Sequence, residues 1–261
     1  MCGWCGEQGI EEILRGTWAR GGSPPIRFTV VRCVACGLDR TDPVPDVRRY
    51  ARGESTWSGG AGGDIWSGSI AQALIERAPG PRILDIGCNV GNVVEAAARL
   101  GSVAEGIDLD PVAIDRGRAR GRNIHNRTIA DQTGSWDGIL LNHVLEHIAD
   151  LREFLAHVDG LSAPGGVVQI NVPCHRGVVP RLMGDHWFAW APDEHVWHFT
   201  PRTLRQVVES STSLRAVTIR QKGVIEPPSA GVKGRAKRVA ARLASSANRG
   251  DQIDAIFAKP R

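Results

Sequence analysis

Three sets of residues in this chain combine types and spacings that can do chemistry. Two cysteine pairs, Cys2-Gly-Trp-Cys5 and Cys33-Val-Ala-Cys36, hold four of its six cysteines. Thiolates two residues apart can span one edge of a tetrahedral ion, and a second pair completes it. The spacing predicts a structural zinc held by Cys2, Cys5, Cys33 and Cys36, with no ligand position open for catalysis. A redox pair or four free thiols are the alternatives, but neither explains why so short and core-poor a segment would fold. The second set is Asp85-Ile-Gly87-Cys88-Asn89-Val-Gly91, an acid followed by a glycine-punctuated turn. Without a Cβ at 87 and 91 the backbone can pass close to a ligand, and a carboxylate at 85 can meet a cationic group. The third set is histidine: His143 and His147 around Glu146, then His175, His186, His195 and His198. An imidazole titrates near neutrality and is the first candidate for a base.

These residues need a scaffold, and the pattern supplies one. Strands are expected at 82–86, 103–108, 127–130, 136–142 and 167–172, with helices near 65–77, 92–100, from Pro111, and at 151–161. Such β/α alternation predicts an α/β, doubly wound, mostly parallel sheet with helices on both faces. A helix at 201–211 and strands at 214–221 and 251–258 follow. Residues 1–50 form a separate zinc-ribbon-like module, polar and turn-rich between the cysteine pairs and then extended from Ile26 to Arg32. Residues 51–64 read as a Gly/Ser-rich linker or lid. Within the remaining domain, 65–261, the segment 174–200 is a Trp- and His-rich loop and 223–250 a basic insertion. Trp187, Trp190 and Trp197 are expected as apolar walls of a pocket lid, the alternative being that they are core.

The order of landmarks resembles the class I S-adenosylmethionine-dependent methyltransferases of the small-molecule type. The resemblance covers about residues 65–261 and implies a Rossmann-like sheet of seven strands whose last strand is antiparallel. It implies S-adenosylmethionine as cofactor, held by Asp85, Gly87, Asn89 and Gly91 of the first turn, with Cys88 lining the pocket. Asp108, followed by Leu109, ends the second strand and would take the ribose hydroxyls, while Asp110 caps the helix that Pro111 opens. Asp131 would face the adenine amino group, and Asn142 would line the site at the end of the fourth strand. The Leu145-Glu146-His147 step is frequent in this family, so His147 or His143 is expected as general base with Glu146 orienting it. His195 and His198 are rivals, in a segment similar to one in methyltransferases of sugars and secondary metabolites.

Other readings of the same residues stay open. An NAD site wants three glycines where this turn has two. His143-x-x-Glu146-His147 also spells a zinc-peptidase signature, in which a helix would bring both imidazoles to one metal. Some RNA 3′-end methyltransferases carry a carboxylate-x-x-Glu-His site for a divalent ion, so a divalent ion at the active site is a further possible cofactor.

The chain has 261 residues, 42% of them hydrophobic and 23% charged, with net charge +4. This is ordinary for a globular protein and too mild to imply nucleic acid by itself. The basic excess is concentrated in Lys233–Arg249, so a zinc-ribbon RNA methyltransferase is one alternative and a non-catalytic, zinc-dependent interaction protein another. No apolar run approaches the roughly 18 residues of a membrane span, and the cytoplasm is the expected compartment. A small-molecule acceptor is the expected partner, with no membrane. Oligomeric state is not encoded in any motif.

Overall fold

A computed structural model describes residues 1–19, 24–52, 63–223 and 242–261. Most of the expected linker and most of the basic insertion lie outside the described residues. The main sheet contains β4 (Arg82–Ile86), β5 (Val103–Asp108), β6 (Ile124–Asn126), β7 (Trp136–Asn142), β8 (Ser162–Pro173), β10 (Arg215–Lys222) and β11 (Gln252–Ala258). Their spatial order is β10-β11-β8-β7-β4-β5-β6. β4 to β8 pair in parallel, and β11 runs antiparallel to both its neighbours. The order reverses at β4, which has β5 on one side and β7 on the other. A crevice opens beyond the carboxyl ends of such strands, because the chains leaving them diverge to opposite faces.

β4 and β7 read as continuous apolar runs because both faces of the sheet are covered. Leu84, Ile86, Ile139 and Leu141 face one core together with Leu155 and Val158 of α4 (Leu151–Leu161) and Leu204 and Val207 of α6 (Pro201–Ser211). Ile83 and Leu140 face the other, against Leu74 of α1 (Gly63–Ile75), Val94 and Ala97 of α2 (Asn92–Arg99) and Ile114 of α3 (Pro111–Arg118). Asp110 caps α3, its carboxylate accepting from the amides of Val112 and Ala113, and Pro111 occupies the first turn.

The third parallel strand lies earlier than expected. It spans Ile124–Asn126 and not 127–130, because Ile124 is the residue that reaches the core. A short strand is placed by what it buries more than by its own propensity.

A second sheet, ordered β1-β2-β3-β9 and antiparallel throughout, is built from β1 (Ile10–Trp18), β2 (Ile26–Cys33), β3 (Asp39–Asp42) and β9 (Trp197–His198). β1 is a correction to the turn-rich reading of the segment between the cysteine pairs. Its hydrogen bonds come from β2, and its Trp18 packs with Phe28, Val30, Trp187 and Trp190. β9 comes from the loop after β8, so the N-terminal module takes its fourth strand from the segment 174–200.

Candidate active site and cysteine centre

β4 delivers Asp85 to the crevice and ends in a turn with three left-handed residues, Gly87 (φ 76°), Asn89 (φ 49°) and Gly91 (φ 80°). A Cβ at Gly87 would stand 2.6 Å from Val144 Cγ2, and one at Gly91 2.8 Å from Ile124 Cγ2. The first of these contacts presses the turn against the residue that follows His143. Asp108 steadies the turn by accepting from the amides of Asn89 (2.7 Å) and Asp110 (2.8 Å). Asp85 is buried, and burial followed by the nearby charge of Asp108 pushes its carboxyl up to about 8. Burial also raises Asp108, against the amides it accepts from. Two carboxyls so placed are suited to a ligand that brings a cation and hydroxyl groups. Cys88 is buried in the core against Gly106, and burial drives its thiol well above the usual range. Leu109 is 42% exposed at the rim. Asp131 is exposed and takes a hydrogen bond from Thr128 Oγ (2.6 Å) in a turn beyond β6.

Beyond β7 the chain bends sharply. His143 has φ 57°, a strained conformation for a residue with a side chain, and its amide is tied to the Asn171 carbonyl at 2.8 Å. Asn142 accepts from the Asn171 side-chain amide at 3.0 Å. Leu145–His147 make one 3-10 turn. The helix that the peptidase reading requires is therefore absent here, and His143 and His147 do not share a helical face. His143 Nδ1 instead meets Glu146 Oε1 at 3.1 Å, with the imidazole 43% exposed and the carboxylate 1%. His147 Nδ1 lies 3.0 Å from the Glu194 carbonyl.

His195 and His198 are buried where the loop meets the module. His195 Nδ1 lies 2.9 Å from the Ala189 carbonyl, and His198 Nε2 lies 2.9 Å from Thr41 Oγ1. Burial and neighbouring imidazoles keep both neutral: His195 is held well below the usual range, and His198 is pushed down to about 3. Trp187, Trp190 and Trp197 are 1%, 5% and 3% exposed. They are packing between loop and module, not open pocket walls. Trp197 shares the main core with Trp4 and Leu38, and its indole N–H donates to the Ile148 carbonyl at 2.7 Å.

The four sulfurs of Cys2, Cys5, Cys33 and Cys36 lie within 4.8 Å of one another, with Cys2–Cys36 at 3.9 Å and Cys5–Cys33 at 3.5 Å. Sulfurs about 2.3 Å from a tetrahedral zinc stand roughly 3.8 Å apart, so the donor set fits that ion. Burial raises the thiols of Cys5 and Cys36, whereas at Cys33 backbone amides of Cys36 and Ala35 and the neighbouring thiols outweigh burial and bring it down to about 7. A thiolate supported by amides is the state a metal needs.

A family model described as a methyltransferase domain matches residues 64–211. This chain belongs to that family. The ubiquinone biosynthesis O-methyltransferase of Methylocella silvestris is 29% identical over 147 residues, covering 51% of this chain and 57% of its own. The enzyme of the same name from Xanthomonas campestris is 33% identical over 104 residues, covering 36% and 43%. The chain spans about half the length of the curated relatives it matches. An S-adenosylmethionine-dependent methyltransferase structure from Archaeoglobus fulgidus superposes with TM-score 0.56 at 20% identity, covering 75% of this chain and 94% of the other. One from Mesorhizobium loti gives 0.53 at 18%, covering 73% and 96%.

Several residues that shape the site of this methyltransferase-family chain carry no local signal. Arg122 donates to the Val90 carbonyl (2.7 Å) and Asn92 Oδ1 (2.6 Å) and pairs with Glu95, clamping the turn to α2. Asp39 and Thr41 alternate on β3, both buried. Asp39 receives a bidentate Arg32 and lies 2.9 Å from His175 Nε2, and Thr41 donates to the His195 carbonyl at 2.7 Å. Burial works against the Asp39 charge, but His175 and Arg32 hold the carboxyl below its ordinary value. A four-residue polar strand reads as loop until its partners are known.

Proposed function

We propose that this chain transfers the methyl group of S-adenosylmethionine to a hydroxyl oxygen of a small-molecule acceptor, with His143 as base and Glu146 as its orienting carboxylate. The observation that supports this reading is the close approach of Val144 to Gly87, which brings the segment carrying the His143–Glu146 pair alongside the turn beyond Asp85. The names of the relatives favour oxygen as the acceptor atom. A sugar or secondary-metabolite intermediate is the acceptor class that the loop around His195 suggests.

S-adenosylmethionine supplies an electrophilic methyl on a positively charged sulfur. Asp85 would meet its ammonium, the glycine turn its backbone, and Asp108 its ribose, with Asp131 and Asn142 as candidates at the rim. The acceptor hydroxyl would give its proton to His143 as its oxygen takes the methyl and the sulfur leaves as the neutral thioether. With Nδ1 facing Glu146, Nε2, which lies 3.3 Å from the Gln252 side-chain amide, would receive the proton once the acceptor hydroxyl takes the place of that amide, and the carboxylate would stabilise the imidazolium. Cys2, Cys5, Cys33 and Cys36 would hold a structural zinc that supplies folding energy.

The test is turnover of the full chain with S-adenosylmethionine against a panel of dihydroxybenzenes and hexoses, read as S-adenosylhomocysteine released. His143→Ala should lower turnover by roughly 10²–10⁴-fold and leave S-adenosylhomocysteine affinity within about twofold. Equal loss of both would make His143 a scaffold residue. Failure to bind S-adenosylhomocysteine at all would favour the non-catalytic interaction protein.

A further inference from the structure

β8 and β11 have two unlike faces. Successive residues of a strand point to opposite sides, and residues paired across neighbouring strands share one. On one side Val168, Ile170 and Val172 stand with Phe257, Ala255 and Ile253 in the main core. On the other side the same strands turn polar toward the carboxyl end of β8. Gln169 pairs with Leu140 and Ile256, Asn171 with Asn142 and Asp254, and Pro173 with Gln252. Asp254 is ion-paired with Lys222. Three amides remain, those of Gln169, Asn171 and Gln252.

Two of these amides are buried with an oxygen unused. Gln169 is 2% and Asn171 3% exposed, and neither Gln169 Oε1 nor Asn171 Oδ1 has a hydrogen-bond partner among the described residues. Asn171 Nδ2 is occupied, since it donates to Asn142 Oδ1. A buried carbonyl oxygen left in that state is costly unless a ligand brings it a donor. Asn171 also adjoins the candidate base, because its backbone carbonyl takes the His143 amide.

The third amide lies against the base itself, with Gln252 Nε2 3.3 Å from His143 Nε2. Glu146 Oε1, 3.1 Å from His143 Nδ1, accepts the proton there. His143 Nε2 therefore carries a lone pair, and the Gln252 amide is its donor. A hydroxyl can donate at the same place.

We propose that Asn171 and Gln252, with Gln169 two residues deeper on β8, form the floor of the acceptor site, and that the acceptor is a polyhydroxylated, sugar-type molecule and not an aromatic diol. One hydroxyl replaces the Gln252 amide on His143 Nε2, and a neighbouring one donates to Asn171 Oδ1. The displaced Gln252 amide then meets a further oxygen of the acceptor. Amides donate and accept side by side, which suits a ligand rich in hydroxyls, whereas an aromatic ring wants apolar walls. Trp187, Trp190 and Trp197, which could have supplied such walls, are buried in packing between loop and module. Only the fate of the first hydroxyl rests on the methyl-transfer reading; the amide floor binds a polyol whether or not a methyl moves.

NMR titration of the full chain loaded with S-adenosylhomocysteine tests the proposal, with methyl hexosides and cyclic hexitols as probes and dihydroxybenzenes as the comparison. A polyol should bind and shift the side-chain amide signals of Asn171 and Gln252. Dihydroxybenzenes should bind roughly tenfold or more weakly. Among monodeoxy analogues of the preferred polyol, at least one should lose roughly tenfold in affinity, and Asn171→Leu should abolish that difference while keeping S-adenosylhomocysteine bound. Because Asn171→Leu can disturb β8, the wild-type comparison of polyols with dihydroxybenzenes is decisive alone. Tighter binding of a dihydroxybenzene, equal binding of every deoxy analogue, or no polyol bound overturns the proposal. So does loss of S-adenosylhomocysteine from a folded Asn171→Leu, which would give the amide to the cofactor. A polyol that binds and shifts both amides without turnover in the presence of S-adenosylmethionine would sink the methyl-transfer reading and leave the floor standing.

Discussion

At the scale of single residues, the Asp85 carboxyl makes the sharpest prediction. Its value near 8 means that it is largely protonated at neutral pH, whereas an ammonium ligand needs the carboxylate. The group is an acid with a raised value, so its charge appears as pH rises through 8 and is lost below. S-adenosylhomocysteine affinity should therefore increase between pH 6 and 8 by up to about tenfold per unit, with a proton released on binding, as calorimetry in buffers of different ionisation heat would show. Asp85→Asn should flatten that slope. Gly91→Ala is the matching backbone test. A Cβ there meets Ile124 at a φ of 80°, and the loss should be about 1–3 kcal/mol of stability by denaturant titration, with weaker cofactor binding.

At the scale of elements, β3 and β9 matter out of proportion to their length. β3 pairs with β9 through Asp39–His198 and Arg40–Trp197, and Trp197 then fills the core beneath the cysteine knuckles. Trp197→Ala should cost about 3–5 kcal/mol, seen as a large fall in melting temperature, because it empties a fully enclosed space. Trp66 is 42% exposed on α1, and its replacement by Ala should change stability by less than about 0.5 kcal/mol. Equal effects at the two positions would contradict the docked arrangement. The element boundaries show where sequence reading works. β7, α4 and α6 were legible to the residue, since long apolar periodicity and capping residues mark both their ends. β1 and β6 were not, since one depends on a partner strand and the other on a single buried isoleucine.

At the scale of the whole molecule, two sheets share one structural purpose. The main sheet carries the glycine turn after β4, and the smaller one, closed by β9 from the loop after β8, carries the cysteines. Removing metal with a strong chelator should therefore loosen β1–β3 and residues 184–199 and leave the main sheet protected. Hydrogen exchange checks this: protection should fall in the first two regions and persist in β4, β7 and β8, with S-adenosylhomocysteine still bound. Uniform loss of protection would mean that the chain unfolds as one unit.

By itself the sequence determined the family, the parallel sheet, the glycine turn after its first strand and the cysteine pairs. Each is written in contiguous residues: an apolar run, a glycine spacing, a C-x-x-C. Only the tertiary structure decided where the histidines stand. It bent the chain left-handed at His143, paired that imidazole with Glu146, tied His147 to the Glu194 carbonyl, and brought His195 edge to face with His147 from a loop that β3 holds in place. Those juxtapositions depend on pairings between residues far apart in the chain, and no local pattern encodes a partner that lies across a sheet.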